Sequence, residues 1–205
     1  MADKVEKNAH IFERDELDWY VEPEASTRAL LAAEGFFGDG IYDPCCGGGN
    51  IVRAALAEGY GDSVGTDIVR RVPVDTSWFL GESDFLKADP AFAPARYRSV
   101  MMNPPFFRGK GTEAFIRRGL ELCSGKLAVF TDLKFLAGSG RANSLWAEHP
   151  PTRVWMITPR PSCPPGEWLE AGNKAGGGTA DWIWLVFDQT APRTATTFHW
   201  LRTRQ

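Results

Sequence analysis

Two adjacent prolines behind an apolar run constrain this chain more than any other feature. Ser99, Val100, Met101 and Met102 read as a short buried strand, and Asn103-Pro104-Pro105-Phe106 follows at once. Successive prolines remove two backbone donors and force an extended turn. Asn103 therefore stands at the C-terminal end of a strand, the edge at which open α/β sheets bind their ligands. The turn's carbonyls are left to accept hydrogen bonds from elsewhere. The Asn103 amide oxygen and the Pro104 carbonyl can together hold a planar NH2 group, and Phe106 offers a ring for stacking. Such a site suits an amino group on a flat, conjugated system.

A second pattern lies upstream. Residues 40–52, Gly-Ile-Tyr-Asp-Pro-Cys-Cys-Gly-Gly-Gly-Asn-Ile-Val, read as strand, glycine-rich turn and helix start, with the helix running over 51–58. Glycines in such a turn let the backbone approach a ligand and present amide donors at the helix N-terminus. No Gly-Lys-Ser/Thr triplet follows, and no third glycine comes three residues after Gly49, so neither a Walker loop nor a dinucleotide fingerprint is present. A second β-branched strand over 63–68 ends in Asp67, whose carboxylate can accept both hydroxyls of a ribose. Glu82-Ser83-Asp84-Phe85-Leu86 places another acid near the end of a third strand, where it can equally cap a turn. Before all of these, Asp18-Trp19-Tyr20-Val21-Glu22-Pro23 leads into a helix over 25–34.

Asn103-Pro104-Pro105-Phe106 resembles the catalytic motif of class I S-adenosylmethionine (AdoMet)-dependent amino methyltransferases, and Asp43-Pro44-Cys45-Cys46-Gly47-Gly48-Gly49 resembles their cofactor loop. The whole chain is most similar to small phage-type DNA adenine-N6 methyltransferases. The resemblance implies that Asp43 and Pro44 lie by the methionyl amino group, that Gly47 and Gly49 pack on the cofactor, and that Asp67 with Ile68 holds the ribose. It further implies that Asp84 and Phe85 meet the cofactor's adenine and that Tyr20 and Pro23 cover its methionine end. Glu22 stands where the family often has Thr or Ser. The implied catalytic residues are Asn103, Pro104, Pro105 and Phe106, acting on a base flipped out of the helix and stacked on Phe106 and Phe107. The implied activity is N6-methylation of adenine in DNA. The alternatives are an RNA adenine-N6 or guanine-N2 methyltransferase, a protein-glutamine methyltransferase, and an inactive AdoMet-binding module.

The implied fold is a doubly wound, mostly parallel, seven-stranded Rossmann-like sheet with an antiparallel last strand. Further strands over 126–131, 153–158, 181–187 and 196–201, a helix over 112–122 and a late hairpin suit it. With 205 residues the chain suits one domain, expected over 18–205 behind a mobile leader at 1–17. Between two late strands, residues 159–180 are rich in Pro and Gly, and a loop of that length is usually functional. Arg160 and Trp168 in it, with Phe107, Arg108 and Lys110 after the catalytic motif, are the expected contacts to a nucleic-acid substrate.

The remaining composition narrows the chemistry. Four cysteines fit no zinc spacing and the three histidines lie far apart, so no metal is expected. No apolar run approaches the ~18 residues of a membrane span, and the N-terminus lacks a secretion-signal core, which predicts a cytoplasmic protein. A net charge of −3 argues against a large phosphate footprint. Arginines and lysines nonetheless gather at 108–118, at 70–71 and at 141, 153 and 160, as a basic cleft or as solvated faces.

Overall fold

The computed structural model describes residues 17–35, 38–88, 98–191 and 195–203. All but one residue of the expected leader lies outside that part of the chain. The element order is α1 (Glu24–Glu34), β1 (Ile41–Asp43), α2 (Asn50–Ala57), β2 (Val64–Asp67), β3 (Phe79–Glu82), β4 (Ser99–Met102), α3 (Lys110–Leu122) and β5 (Lys126–Asp132). Then come α4 (Ser139–Ala142), α5 (Leu145–Glu148), β6 (Arg153–Thr158), α6 (Gly166–Glu170), β7 (Trp182–Asp188) and β8 (Thr197–Arg202). The strands form one sheet in the order β3-β2-β1-β4-β5-β7-β6-β8.

The mostly parallel, doubly wound sheet is the one expected, with one strand more. β7 runs antiparallel to both β5 and β6, while β8 pairs in parallel with β6. The antiparallel strand is therefore the seventh, and an eighth extends the edge beyond it. The physical reason is the long passage after β6. Residues 159–181 reverse the chain so that β7 inserts between two strands already laid down, leaving only the outer edge of β6 for β8.

The central strands β1, β2, β4, β5 and β7 are buried on both faces, as strands covered by helices on both sides are, while the edge strand β8 is largely exposed. The alternation along β4 and β5 divides the core: Val100, Met102, Leu127 and Val129 pack toward α3, and Met101, Ala128 and Phe130 toward α1 and α2. Helix α1 docks through Leu30 and Leu31, and Trp184 Nε1 of β7 donates to the Ser26 carbonyl at 3.2 Å. At the C-terminal end of α1, Glu34 joins the helix to the N-terminal ends of β5 and β6. Its carboxylate accepts from Lys126 at 3.0 Å, Trp155 at 2.6 Å and Arg153 at 2.5 Å. This knot sits at the sheet edge opposite the one that carries β-strand C-termini, and it leaves the latter edge for the site.

The long loop is not structureless: α6 lies within it, and Tyr20 bridges to Pro165. Among the described residues no helix is long and apolar enough to cross a membrane.

Candidate functional site

A cavity of about 220 Å³ opens at the C-terminal ends of β1, β2 and β4. Three turns and one incoming strap build it. The turn after β1 is shaped by glycine: Gly47 has φ 50° and Gly49 φ 87°, backbone that other residues resist. A Cβ on Gly47 would stand 2.5 Å from Trp19 Nε1, so the loop and the strap touch only because that side chain is missing. The Gly47 amide donates to Asp67 Oδ2 at 2.7 Å and the Cys45 amide to Asp43 Oδ1 at 3.1 Å.

The strap, residues 17–22, is pinned from several directions. Phe107 N donates to Asp18 Oδ2 at 2.7 Å, and Asn50 Nδ2 donates to the Glu22 carbonyl at 2.6 Å. Val21 N donates to the Pro164 carbonyl and Gly166 N to the Trp19 carbonyl, both at 2.9 Å. Asp18 and Phe107, joined by one of these bonds, have φ of 53° and 37°. Both are left-handed non-glycine residues, a conformation that persists only where neighbours over-determine it.

Asn103 lies at the centre. Its Nδ2 donates to the Tyr20 carbonyl and to Glu22 Oε2, each at 2.7 Å. A carbonyl can only accept, so this pair fixes which end of the amide faces the strap and leaves Oδ1 as an acceptor. Of the turn's four carbonyls, that of Asn103 accepts from Cys45 Sγ, that of Pro105 from Thr112 and that of Phe106 from Gly109 and Gly111. The Pro104 carbonyl accepts nothing from the described residues, but Pro104 is buried between Asn103 and Pro105 and does not itself line the cavity.

The lining is acidic. Asp18, Glu22, Asp43, Asp67 and Asp84 contribute to it, and Arg71 is the cation among the lining residues. Burial pushes the Glu22 carboxyl up to about 7 against the pull of Asn103 and Arg53. Burial, with Glu22 next to it, pushes Asp43 well above the usual carboxylate range. Burial likewise raises the Cys45 thiol, which is therefore a packed hydrogen-bond donor and not a thiolate nucleophile.

Most residues predicted from sequence gather here. Tyr20, Asp43, Pro44, Gly47, Asp67, Ile68, Asp84, Phe85, Asn103, Pro105 and Phe107 all line the cavity. Phe85 does so while packing on Tyr42 and Phe115, and Ile68 remains over half exposed at the rim. Asp84 is partly occupied as a turn cap, accepting from Leu86 N at 3.1 Å and from Lys87 at 2.8 Å. Pro23 and Gly49 act one step away, as the residues that precede α1 and α2. Phe106 does not reach the cavity. Its ring stands 5.9 Å from Trp182, which stacks on Phe130 at 4.8 Å, so a core aromatic ladder braces it. Arg160 pairs with Asp181 at 2.6 Å, Trp168 is exposed on α6, and Lys110 opens α3 at the surface; none lines the cavity. Arg108 lies in a turn of 3-10 helix, Phe107–Gly109.

Sequence reasoning did not assign Asp18, Trp19, Glu22 or Arg71. Arg71 donates to Asp67 at 2.8 Å and lies over the Trp19 ring at 4.5 Å. An Asp-x-x-x-Arg spacing was the available signal for it, but only the folded strap supplies the ring.

No protein-family model and no curated protein matches the chain by sequence. Solved structures do match by shape. A Vibrio vulnificus protein described as the modification subunit of a type I restriction enzyme aligns with a TM-score of 0.61 at 13% identity, over 90% of this chain and 47% of its own. A Pyrococcus horikoshii protein described as an RNA methyltransferase aligns with a TM-score of 0.61 at 16% identity, over 84% and 88%. The branched-chain polyamine synthase of Thermus thermophilus, solved with N4-aminopropylspermidine and 5'-methylthioadenosine, aligns with a TM-score of 0.56 at 15% identity, over 87% and 60%. The chain thus spans about half the length of the first of these and most of the second. At such identities the likeness is one of architecture, and it shows that this chain has the Rossmann-like fold that these proteins share.

Proposed function

We propose that this chain is an AdoMet-dependent N-methyltransferase acting on the exocyclic amino group of adenine in DNA. The observation that carries the reading is the fixed amide of Asn103, its nitrogen tied to the strap and its oxygen left to accept at a strand's C-terminal end.

The cavity fits the cofactor by charge and shape. AdoMet carries an ammonium, a sulfonium and a carboxylate, and five acidic side chains against one arginine favour its net positive charge. Asp43 and Gly47 would hold its amino-acid end, Asp67 its ribose, and Ile68 and Phe85 the faces of its adenine. Asp67 already accepts from Gly47, Val69 and Arg71, so the ribose hydroxyls would take over the share of Arg71. When bound, AdoMet supplies an electrophilic methyl group on sulfur.

The chain's own residues do the rest. An exocyclic amine conjugated into a ring is a poor nucleophile. Asn103 Oδ1 and the Pro104 carbonyl accept its two N–H bonds, which favours a tetrahedral nitrogen and aims the lone pair at the methyl carbon. Once methylated, the nitrogen would lose one proton to solvent, because the Asn103 and Pro104 oxygens orient its N–H bonds but are too weakly basic to keep it. The two acceptors stabilise the positive charge that builds on the amine, and positioning supplies most of the remaining acceleration. Phe107, half exposed on the cavity wall, is the ring placed to stack on the target, with Phe106 bracing the turn behind it.

A second reading, methylation of RNA, is favoured by one observation. The Pyrococcus horikoshii protein described as an RNA methyltransferase aligns with a TM-score of 0.61, equal to that of the restriction-enzyme modification subunit. The deciding experiment is transfer of labelled methyl groups from AdoMet to DNA, transfer RNA and ribosomal RNA, followed by nucleoside analysis. N6-methyladenine in DNA, lost by about 100-fold or more in Asn103→Ala while AdoMet still binds, is the expected result. Label confined to RNA would move the substrate, and no transfer at all would sink the reading.

A further inference from the structure

Glu22 is a buried acid at the centre of the site, 6% exposed and hydrogen-bonded to Asn103. We propose that Glu22 is a positioning residue whose carboxylate holds the Asn103 amide in its working orientation, so that the ionisation of Glu22 sets how firmly Asn103 is presented to the target amine. The inference rests on reading Asn103 as the acceptor of that amine.

The geometry makes Glu22 one of two anchors. The Tyr20 carbonyl and Glu22 Oε2 each take one Nδ2 proton of Asn103, at 2.7 Å. The two anchors differ in kind. The carbonyl accepts whatever the pH, whereas the carboxylate is a stronger acceptor than the neutral acid, whose proton can also sit on the oxygen that faces Asn103. With that proton on Oε1, Oε2 still accepts, but more weakly. With it on Oε2, donor faces donor and the contact with Asn103 Nδ2 is lost. Protonation thus loosens one of the two anchors and leaves the Tyr20 carbonyl as the other. The Glu22 backbone cannot move away to relieve this, because Asn50 Nδ2 holds its carbonyl at 2.6 Å.

The surroundings place this switch in the neutral range. Asp43, the last residue of β1, feels the Glu22 charge; Glu24 on α1 raises Glu22, and Arg53 on α2 opposes that. The thiols of Cys45 in the glycine turn and Cys163 in the long loop complete the titratable neighbours. With Glu22 itself 6% exposed, burial outweighs the pull of Arg53 and Asn103.

The test reads Asn103 directly, through the side-chain NH2 resonances of the 15N-labelled full chain, assigned by their loss in Asn103→Asp. In the wild type the pair shifts with a midpoint near pH 7. In Glu22→Gln, which keeps an acceptor but cannot titrate, it holds still between pH 6 and 8. A pair indifferent to pH in the wild type, or titrating unchanged in Glu22→Gln, overturns the proposal. Turnover gives the second readout. On whichever nucleic acid accepts label, Glu22→Ala lowers kcat, read at saturating AdoMet, by about 30-fold, towards the scale of a misplaced reacting group. Glu22→Gln recovers most of that loss and removes the fall in rate on the acid side, whereas a role confined to holding the strap would leave the pH profile unmoved. Should the resonances behave as stated while no nucleic acid is methylated, the coupling stands and the functional reading falls.

Discussion

Asp43 and Glu22 are two carboxyls driven out of their ordinary range by the same burial, and each makes the other harder to ionise. A ligand that brings an ammonium and a sulfonium between them favours their ionised forms. AdoMet binding should therefore release protons, and its affinity should rise with pH between about 6 and 8. Calorimetry in two buffers of different ionisation enthalpy measures the release directly; an affinity flat across that range would contradict the assignment of these acids to the cofactor. At this scale the motif residues were legible, since Asp43, Gly47, Asp67 and Asn103 stand at strand ends that follow from local pattern. Phe106 and Arg71 were not, because a ring 5.9 Å away on β7 and an indole on the strap decide their roles, and both contacts are long-range.

Elements carry a different part of the stability. Burial alone would raise the Glu34 carboxyl, yet hydrogen bonds from Arg153, Trp155 and Lys126 outweigh it and hold it below the usual range. A lowered carboxyl stabilises the fold above its unfolded pKa and loses that contribution as the pH falls through the folded one. Glu34→Gln should cost about 3 kcal/mol near neutral pH, and the gap to wild type should close in acid. Urea unfolding at pH 7 and at a pH well below the ordinary carboxylate range, about 2 to 3, would show it. On the site's side of the sheet, a Cβ at Gly166 would overlap the Trp19 ring. Gly166→Ala should thus displace the strap and weaken AdoMet binding by about 10-fold, with a shift in tryptophan emission that reports the lost packing. The strands and helices were mostly legible from apolar alternation and spacing. The place of β8 was not: period-two patterning says that a strand forms, and only the reversal at 159–181 says which neighbour it meets.

For the whole molecule, the arginines that suggested a basic cleft are largely spent within the fold. Arg117 pairs with Glu113 and Glu148, Arg118 with Glu121, Arg153 with Glu34 and Asp188, and Arg160 with Asp181. Apart from the buried pair with Glu34, such exposed pairs add little stability, but all of them cancel the field a phosphate backbone would feel. If a nucleic acid is the substrate, the logarithm of its affinity against that of salt should have a slope no steeper than about −3, the mark of few phosphate contacts. A slope near −7 would point to a footprint the pairing pattern denies. Composition anticipated this through a net charge of −3, although the clustering of arginines along the chain pointed the other way.

The wedging of Trp19 between Gly47 and Gly166 has a thermodynamic corollary. The strap is shared by the glycine turn after β1 and by the loop at 159–180, with Val21 bonded to Pro164 and Trp19 to Gly166. On the proposed reading these two carry cofactor and substrate, and ligands that bear on one element are coupled, each altering the other's affinity by the same factor. Cofactor exchange would then require the strap to lift, and the tempo of turnover would depend on how readily that clasp opens.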